Sequence, residues 1–264
     1  MIRKLTEQDR QFVLPYLYKE SSYNIFIIGD IETFGFDTDF QTIYGEFDQN
    51  NNYLSVLLFY RENSIYYSHL TKFNVDYLSV FKQHNFSYMS GKEELMTLVN
   101  PYLEKFSFAP MYFCKAVELE KNISKDEEVK QVKTDEDIKK LHKLLIQIDE
   151  FGIKKNTLEE FTKSTRSGLK MGMKLYIEKD NKIVSTVAST AETTVSAMVV
   201  GVATDPKYRQ KGFASKLMVS LMEEYFQNRN KELCLFYDNP TAGKIYKRLG
   251  FKDIGKWVMM SNIE

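Results

Sequence analysis

The chain has 264 residues, 43% of them hydrophobic and 27% charged, which suffices for one large core or two ordinary ones and excludes a disordered or disulfide-stapled protein. Its 36 Lys and Arg balance its 36 Asp and Glu, so it has no bulk positive charge for non-specific binding to nucleic acids or anionic membranes. Two cysteines and three histidines are too few for a Cys/His zinc framework, and we expect no bound metal.

The N-terminal sequence and the hydropathy pattern favour a cytoplasmic protein. The first ten residues contain no apolar stretch of the signal-peptide type, and no uncharged apolar run approaches the roughly 20 residues that span a bilayer. Cys114 and Cys234 lie far apart in the sequence and are expected to be reduced thiols. Together with the balanced charge, these features lead us to expect neither a nucleic acid nor a membrane as a partner.

The first 117 residues are rich in aromatic side chains and predict a strand-rich domain. Strands are expected over 2–5, 42–48, 53–61, 64–71 and 108–117, and helices over 7–19, 24–34, 74–84 and 92–105. Between Lys115 and Lys140 charged residues replace the aromatic ones, as is typical of a domain boundary, and we place a linker at 118–127. A solvated surface helix inside one domain is the alternative.

The second half alternates between strand and helix patterns. Its predicted elements are a strand at 129–132, a helix capped by Thr134, a helix over 157–169, a hairpin of 175–178 and 183–189, a strand at 197–203, a helix from Phe213, a strand at 233–237, a helix from Pro240 to Gly250, and a final strand or pair over 251–260. Residues 197–203 are apolar without alternation, which predicts a central strand covered on both faces.

The turn after this strand carries the strongest functional signal. Arg209 and Lys211 precede Gly212, and a helix begins at once. Consecutive backbone N–H groups at a helix N-terminus bind phosphate oxygens, and glycine lets the backbone approach a ligand closely. Arginine is suited to bidentate phosphate contacts. The segment therefore predicts a diphosphate site, whereas the phosphate loops of nucleoside triphosphatases and of dinucleotide-binding proteins are absent from the sequence.

A second motif follows after one helix and one strand. It reads Asn239-x-x-Ala242-x-x-x-Tyr246-x-x-x-Gly250-Phe251, while the first reads Arg-x-x-Gly-x-Ala from residue 209. Each motif alone is a weak signal. Together, and at this spacing, they resemble the Gcn5-related N-acetyltransferase (GNAT) family over about 128–264.

The resemblance implies an α/β (α+β) fold with two GNAT-like domains in tandem, each a mixed, mostly antiparallel sheet flanked by helices. Residues 128–264 would form the catalytic domain. Residues 1–117 share only the order of elements with it, and no glycine occurs between Gly45 and Gly91 to form the corresponding loop. The first domain is therefore expected to be a degenerate copy that does not hold coenzyme A in the same way.

The resemblance also implies an acetyl-CoA-dependent N-acetyltransferase, in which an amine attacks the thioester directly. The implied cofactor-binding residues are Val202, Ala203, Thr204, Arg209, Gln210, Lys211, Gly212, Phe213, Ala214, Ser215, Asn239 and Ala242. Tyr246 lies where the family places the general acid for the leaving thiolate, and a phenol is protonated at neutral pH. A backbone N–H near Val202 would stabilise the oxyanion.

Several alternatives stay open. Glu192, just before the central strand, or a chain of water molecules would accept the proton of the amine. Asn239 could serve only as a helix cap and Tyr246 only as a packed ring. The acceptor is a small-molecule amine or a peptide N-terminus. A sensor or scaffold that binds acyl-CoA without turnover is the alternative function.

Overall fold

The structure, a computed structural model, describes residues 1–119 and 128–263. Its strands are β1 (Ile2–Lys4), β2 (Gln41–Phe47), β3 (Tyr53–Tyr60), β4 (Asn63–Ser68), β5 (Tyr88–Lys92), β6 (Ala109–Ala116), β7 (Val129–Gln131), β8 (Lys174–Lys179), β9 (Lys182–Thr190), β10 (Ser196–Thr204), β11 (Glu232–Tyr237) and β12 (Lys252–Ser261). Its α-helices are α1 (Arg10–Tyr18), α2 (Ile25–Phe34), α3 (Tyr77–Phe81), α4 (Glu93–Val99), α5 (Asp135–Leu145), α6 (Leu158–Gly168), α7 (Phe213–Glu223) and α8 (Pro240–Arg248).

Most of these elements lie within a few residues of their predicted bounds, and the first half holds the main differences. β5 was not predicted from the sequence, because its Gly91 and Lys92 are poor strand formers. The helix predicted over 92–105 is shorter, because Pro101 stands in a 3-10 turn after α4 and has no N–H to continue the α-helix. The predicted linker at 118–127 lies almost entirely outside the described residues.

The chain divides into two compact units that are not continuous in sequence. The first comprises Met1–Cys114, Phe236–Asp238 and Asp253–Glu264, and the second comprises Lys115–Leu235 and Asn239–Lys252. The sequence analysis had placed all residues from 128 onward in one domain. The C-terminal strand instead belongs to the first unit, because β12 pairs there with β5.

The first unit contains a mixed sheet in the order β1-β2-β3-β4-β5-β12-β6. Its first four strands are antiparallel, β4 and β5 are parallel, and β12 runs antiparallel to β5 with Trp257 opposite Lys92. One core cluster of this unit gathers large apolar side chains from the sheet, α3 and α4, including Leu57, Tyr66, Tyr77, Met89, Leu95, Met96 and Val258.

The second unit contains a sheet in the order β11-β10-β9-β8-β7, antiparallel except for the parallel pair of β10 and β11. The capping role predicted for Thr134 is confirmed, since its hydroxyl accepts from the Asp137 amide at 3.2 Å while the Asp137 carboxylate accepts from the Thr134 amide at 2.8 Å. A core cluster of this unit packs α5 and α6 on the sheet through residues including Ile138, Leu141, Leu144, Phe161, Tyr176 and Ile183.

The two halves of the chain repeat one order of elements. Strand, two helices, three strands, helix, strand, helix and strand run from β1 to β6, and the same order runs from β7 to β12. In each half the parallel pair follows the three antiparallel pairings. The predicted fold class, mixed and mostly antiparallel sheets flanked by helices, is confirmed, and the duplication that would explain the repeat stays a prediction. Across 1–119 and 128–263, no helix combines the length and the apolar character needed to cross a membrane.

Candidate functional site

The pairing of strand β10 with its two neighbouring strands changes along its length, and its pairing with β9 becomes irregular at Gly201. Among the described residues it pairs with β11 only over Ser196, Ala197 and Met198. Further along, two residues of β10 lie opposite Val187 of β9, a β-bulge that begins at Gly201 with φ +63°. A bulge bends the strand and disrupts the ladder locally. The end of β10 is therefore left without β11 as a neighbour in the ladder.

The burial of β10 follows this break. Residues 196–199 are buried, as predicted for a strand covered on both faces. The prediction is wrong at Val200, which is 36% exposed, and at the partly exposed residues 201 and 202, whereas Ala203 is buried again at 5% exposure. At this point the bulge at Gly201 interrupts the regular alternation of the strand, and no described pairing joins the rest of β10 to β11. A glycine inside an apolar strand pattern was the sequence signal for the bulge, and the sequence analysis did not use it.

The loop between β10 and α7 adopts an unusual backbone conformation. Gln210 and Gly212 both have positive φ, +62° and +80°, and Gly212 is the N-cap of α7 without a side-chain cap. Within the described ranges, the backbone amides of residues 210–215 donate to no protein acceptor. The first donors of α7 are thus available to a ligand, and a helix N-terminus favours an anion.

A cavity of about 690 Å³ lies between this loop, the end of β10 and α8. Twelve of the thirteen residues named from the sequence line it: Val202, Ala203, Thr204, Arg209, Gln210, Gly212, Phe213, Ala214, Ser215, Asn239, Ala242 and Tyr246. Lys211 does not line the cavity, and its Nζ lies 4.8 Å from the centre of the Tyr208 ring. The sequence analysis did not name Ile148, Phe151, Tyr208, Thr241, Ile245 and Arg248, which also line it.

Two arginines contact the loop. Nε of Arg209 donates to the carbonyl oxygen of Thr204 at 3.2 Å, so this side chain holds the loop against the end of β10. Nη2 of Arg248 donates to Oγ of Ser215 at 3.3 Å, which brings a second guanidinium to the first turn of α7. Both residues are exposed. Arg248 lies within the second motif and in the last turn of α8, and this position is the sequence signal that could have identified it.

Asn239 and Tyr246 position α8 as well as lining the cavity. Oδ1 of Asn239 accepts from the Thr241 amide at 2.9 Å, which is the capping role considered as an alternative. The Tyr246 ring is buried, at 8% exposure, and packs edge-on to Phe251 at 6.1 Å between ring centroids. The carbonyl oxygen of Tyr246 accepts from the Phe251 amide at 3.1 Å, so the turn that ends α8 fixes the tyrosine.

The geometry of Glu192 does not favour it over water as the acceptor of the amine proton. Its carboxylate accepts from Lys231, Arg229 and Tyr225 at 2.7, 2.7 and 2.9 Å. Burial alone would raise the pKa of Glu192, but the hydrogen bonds from Lys231 and Tyr225 and the charge of Arg229 outweigh it and hold the pKa below its usual value. Glu192 also precedes β10, whose nine residues span about 26 Å to Thr204. It is a paired carboxylate at the opposite end of the strand.

The groups at the cavity are suited to a ligand that carries phosphate groups. Unpaired amides and two guanidinium groups provide the donors that phosphate oxygens require. None of the eighteen lining residues is Asp, Glu or His. Over 1–119 and 128–263, no three His, Cys, Asp or Glu side chains come together as ligands for a metal ion.

One protein family and several solved structures are similar to this chain. A sequence model of the GNAT acetyltransferase family matches residues 38–260. A Drosophila protein of known structure has a TM-score of 0.72 at 10% identity and covers 99% of this chain and 98% of its own. A GCN5-related N-acetyltransferase from Sphaerobacter thermophilus has a TM-score of 0.64 at 14% identity, with 98% and 94% covered.

A tandem GNAT protein from the clavulanic acid biosynthesis pathway is also similar, with a TM-score of 0.59 at 10% identity and coverage of 98% of this chain and 97% of that protein. Likenesses at such low identity show the fold alone. A sequence search of curated proteins returns no match.

Proposed function

Because the chain belongs to the GNAT acetyltransferase family, whose model matches residues 38–260, we propose that it transfers an acetyl group from acetyl-CoA to a primary amine. One observation carries the proposal: the unpaired amides of residues 210–215, the uncovered end of β10 and Tyr246 meet at one cavity. The family and the fold support an acyltransferase role. The identity of the acyl donor and of the acceptor belongs to the proposal.

The residues at the cavity fit acetyl-CoA as the donor substrate. The amides of residues 210–215 would hold the diphosphate, because they form a cluster of donors at the positive end of α7. Arg248 would add a charge-assisted contact to a phosphate, and Arg209 would fix the loop. Gly212 allows the positive φ of the helix cap, which other residues adopt only with strain.

The uncovered strand end gives the acyl arm a place to bind. Beyond Met198, β10 has no β11 partner among the described residues. The backbone of Val202, Ala203 and Thr204 would therefore hydrogen-bond the pantetheine arm as an added strand would. The bulge at Gly201 changes the direction of the backbone there, and the Val202 amide is our choice for the donor to the oxyanion.

The chemistry is a direct transfer. A neutral amine attacks the thioester carbonyl, a C–N bond forms, and the C–S bond breaks as the tetrahedral intermediate collapses. Tyr246 donates its phenolic proton to the leaving thiolate and regains one from solvent. No lining residue of the cavity is a carboxylate or a histidine, and Glu192 is held by its ion pairs. We therefore propose that the amine loses its proton to water.

We propose that only the second unit binds acetyl-CoA. The helix that follows β4 in the first unit, α3, has five residues, and its N-cap is Asp76 in a right-handed helical conformation. The corresponding helix of the second unit, α7, has eleven residues and begins after a glycine with positive φ. The first unit would then be a degenerate copy of the second.

One observation favours a second function. A cavity without an acidic or imidazole side chain also suits a protein that binds acyl-CoA and does not turn it over. The two functions are separated by one experiment, in which the purified chain is incubated with acetyl-CoA and a panel of primary amines. Release of the free thiol is measured together with the mass of the product.

The proposed function predicts thiol release that depends on the amine, and a product heavier than the amine by one acetyl group. Binding of acetyl-CoA without any acetylated product across the panel would favour the sensor. Failure of acetyl-CoA to bind at all would contradict both functions.

A further inference from the structure

Asp30, on α2 of the first unit, is a partly buried carboxylate that pairs with no residue of the described chain. Neither of its oxygens accepts a hydrogen bond or an ion pair from any residue of the described chain. Burial is the sole cause that acts on it, and burial raises the pKa of Asp30 to about 7. The side chain nevertheless keeps some contact with solvent. An unpaired carboxylate in such surroundings destabilises the folded protein unless a cation pairs with its charge.

Phe26, on the same helix as Asp30, belongs to a cluster of aromatic rings of the same unit. Phe26 lies one helical turn before Asp30, so the two side chains share a face. The Phe26 ring lies 6.2 Å from that of Phe236 and 6.3 Å from that of Trp257, and the last two stack at 5.5 Å. Phe113 completes the cluster at 4.6 Å from Phe236.

Two of the four rings in the cluster are partly exposed to solvent. Trp257 and Phe113 are buried, whereas Phe26 and Phe236 are only partly buried. The faces of aromatic rings attract cations, and the attraction strengthens where water is excluded. A partly open aromatic surface one turn from an unpaired carboxylate is therefore complementary to a positive charge on an apolar body.

Asp30 has no evident structural role in the described chain. The core-facing positions of α2 are filled by Ile27, Ile28 and Ile31, all fully buried. Asp30 caps no helix and bridges no pair of elements in the described chain. Unpaired buried carboxylates with raised pKa values concentrate at binding and catalytic sites.

We propose that Asp30, together with the rings of Phe26 and Phe236, forms a binding site for an arylalkyl ammonium ion. The ammonium group pairs with the carboxylate, and the aryl group packs on the exposed parts of the two rings. Binding at this site takes place within the first unit and does not require acetyl-CoA.

The test is a calorimetric titration of the full chain with phenethylamine, in the absence of acetyl-CoA and at pH 8, where both partners are charged. Its neutral isostere 2-phenylethanol reports the contribution of the ammonium group. Asp30→Asn removes the charge and keeps the shape, and Asp37→Asn is the matched control, an exposed aspartate just beyond α2. Melting curves confirm that each variant is folded.

We expect phenethylamine to bind at least about tenfold more tightly than 2-phenylethanol, and Asp30→Asn to remove that difference while Asp37→Asn keeps it. Phe26→Leu should weaken both ligands, because the ring surface is lost. The site is refuted if phenethylamine does not bind the wild-type chain, or if Asp30→Asn binds it as tightly as Asp37→Asn does. Neither result depends on whether acetyl transfer occurs.

Discussion

Arg209 donates from Nε to the carbonyl oxygen of Thr204 at 3.2 Å, which joins the first residue of the glycine loop to the last residue of β10. The sequence analysis expected this arginine to bind phosphate in bidentate fashion. Its contact with the strand through Nε gives it a positioning role as well, in which it sets the loop against the strand end. The cavity wall formed by the loop and the wall formed by the strand are thus fixed to each other.

We expect Arg209→Ala to weaken acetyl-CoA binding by about tenfold, because the loop loses this contact and the site loses a positive charge. Lys211→Ala is the matched control, since this residue carries the same charge in the same loop and does not line the cavity. Its loss should change affinity by less than about threefold. Affinity for acetyl-CoA is measured by calorimetry. Equal losses of affinity in the two variants would show that the positive charge of Arg209 matters and that its contact with the strand does not.

The bulge in β10 requires a glycine for its conformation rather than for space. A Cβ at Gly201 would meet only the Ala188 side chain, at an ordinary 3.8 Å, but φ is +63°. We expect Gly201→Ala to lower the free energy of unfolding by about 1–2 kcal/mol and to reduce acetyl-CoA affinity. Gly168→Ala, where φ is ordinary and the space is open, is the control in urea unfolding. Similar stability changes in both variants would contradict the role of the bulge.

Tyr246→Phe separates catalysis from binding. The variant keeps the ring that packs on Phe251 and loses only the hydroxyl. We expect turnover to fall by about tenfold or more, since the thiolate then leaves without a proton donor, while acetyl-CoA affinity stays near that of the wild type. Steady-state rates at saturating acetyl-CoA test this. Wild-type turnover in the variant would remove Tyr246 from the mechanism and leave it as a packed ring.

Asp30 makes the stability of the chain depend on pH. Its pKa in the folded chain, about 7, lies above the ordinary value of 3.8, so the folded state binds more protons than the unfolded state between these two values. Stability contributed by the protonated carboxyl is therefore present at low pH and is lost as the pH rises towards 7. Asp30→Asn should remove this decline and stabilise the chain at pH 8 by about 1–4 kcal/mol.

Thermal melting of the wild type and of Asp30→Asn at pH 5 and pH 8 measures this effect. The melting temperature of the variant should exceed that of the wild type by more at pH 8 than at pH 5. A constant difference between the two proteins at both values would mean that Asp30 titrates normally in the folded chain.

Local sequence signals predicted the loop between β10 and α7 well. Gly212 and its basic neighbours precede a clear helix pattern, and α7 begins directly after Gly212, as that pattern predicts. The same holds for the hairpin of β8 and β9, where Asp180 and Asn181 both adopt positive φ. In such cases the residues that determine the structure lie within a few positions of one another.

The features that the sequence did not reveal depend on distant partners. The membership of β12 in the first unit follows from pairing with β5, which is more than 150 residues away. The pairing of Glu192 with Lys231 and Arg229 likewise depends on how β10 and α7 are arranged. The aromatic cluster next to Asp30 takes its rings from α2, β6, β11 and β12. Periodicity within one segment contains no information on such contacts.

The diphosphate site at the start of α7 is the central claim, and Gly212 tests it most directly. A Cβ added at this position would meet no protein atom within 4 Å apart from its chain neighbours, so a substituent would begin in open space beside the unpaired amides. Gly212→Glu and Gly212→Gln share the strain of the positive φ and differ only in charge. The dissociation constant of acetyl-CoA, measured for both by calorimetry, should be at least about a hundredfold larger for the glutamate variant. Equal dissociation constants for the two variants would contradict the presence of a diphosphate at this helix end.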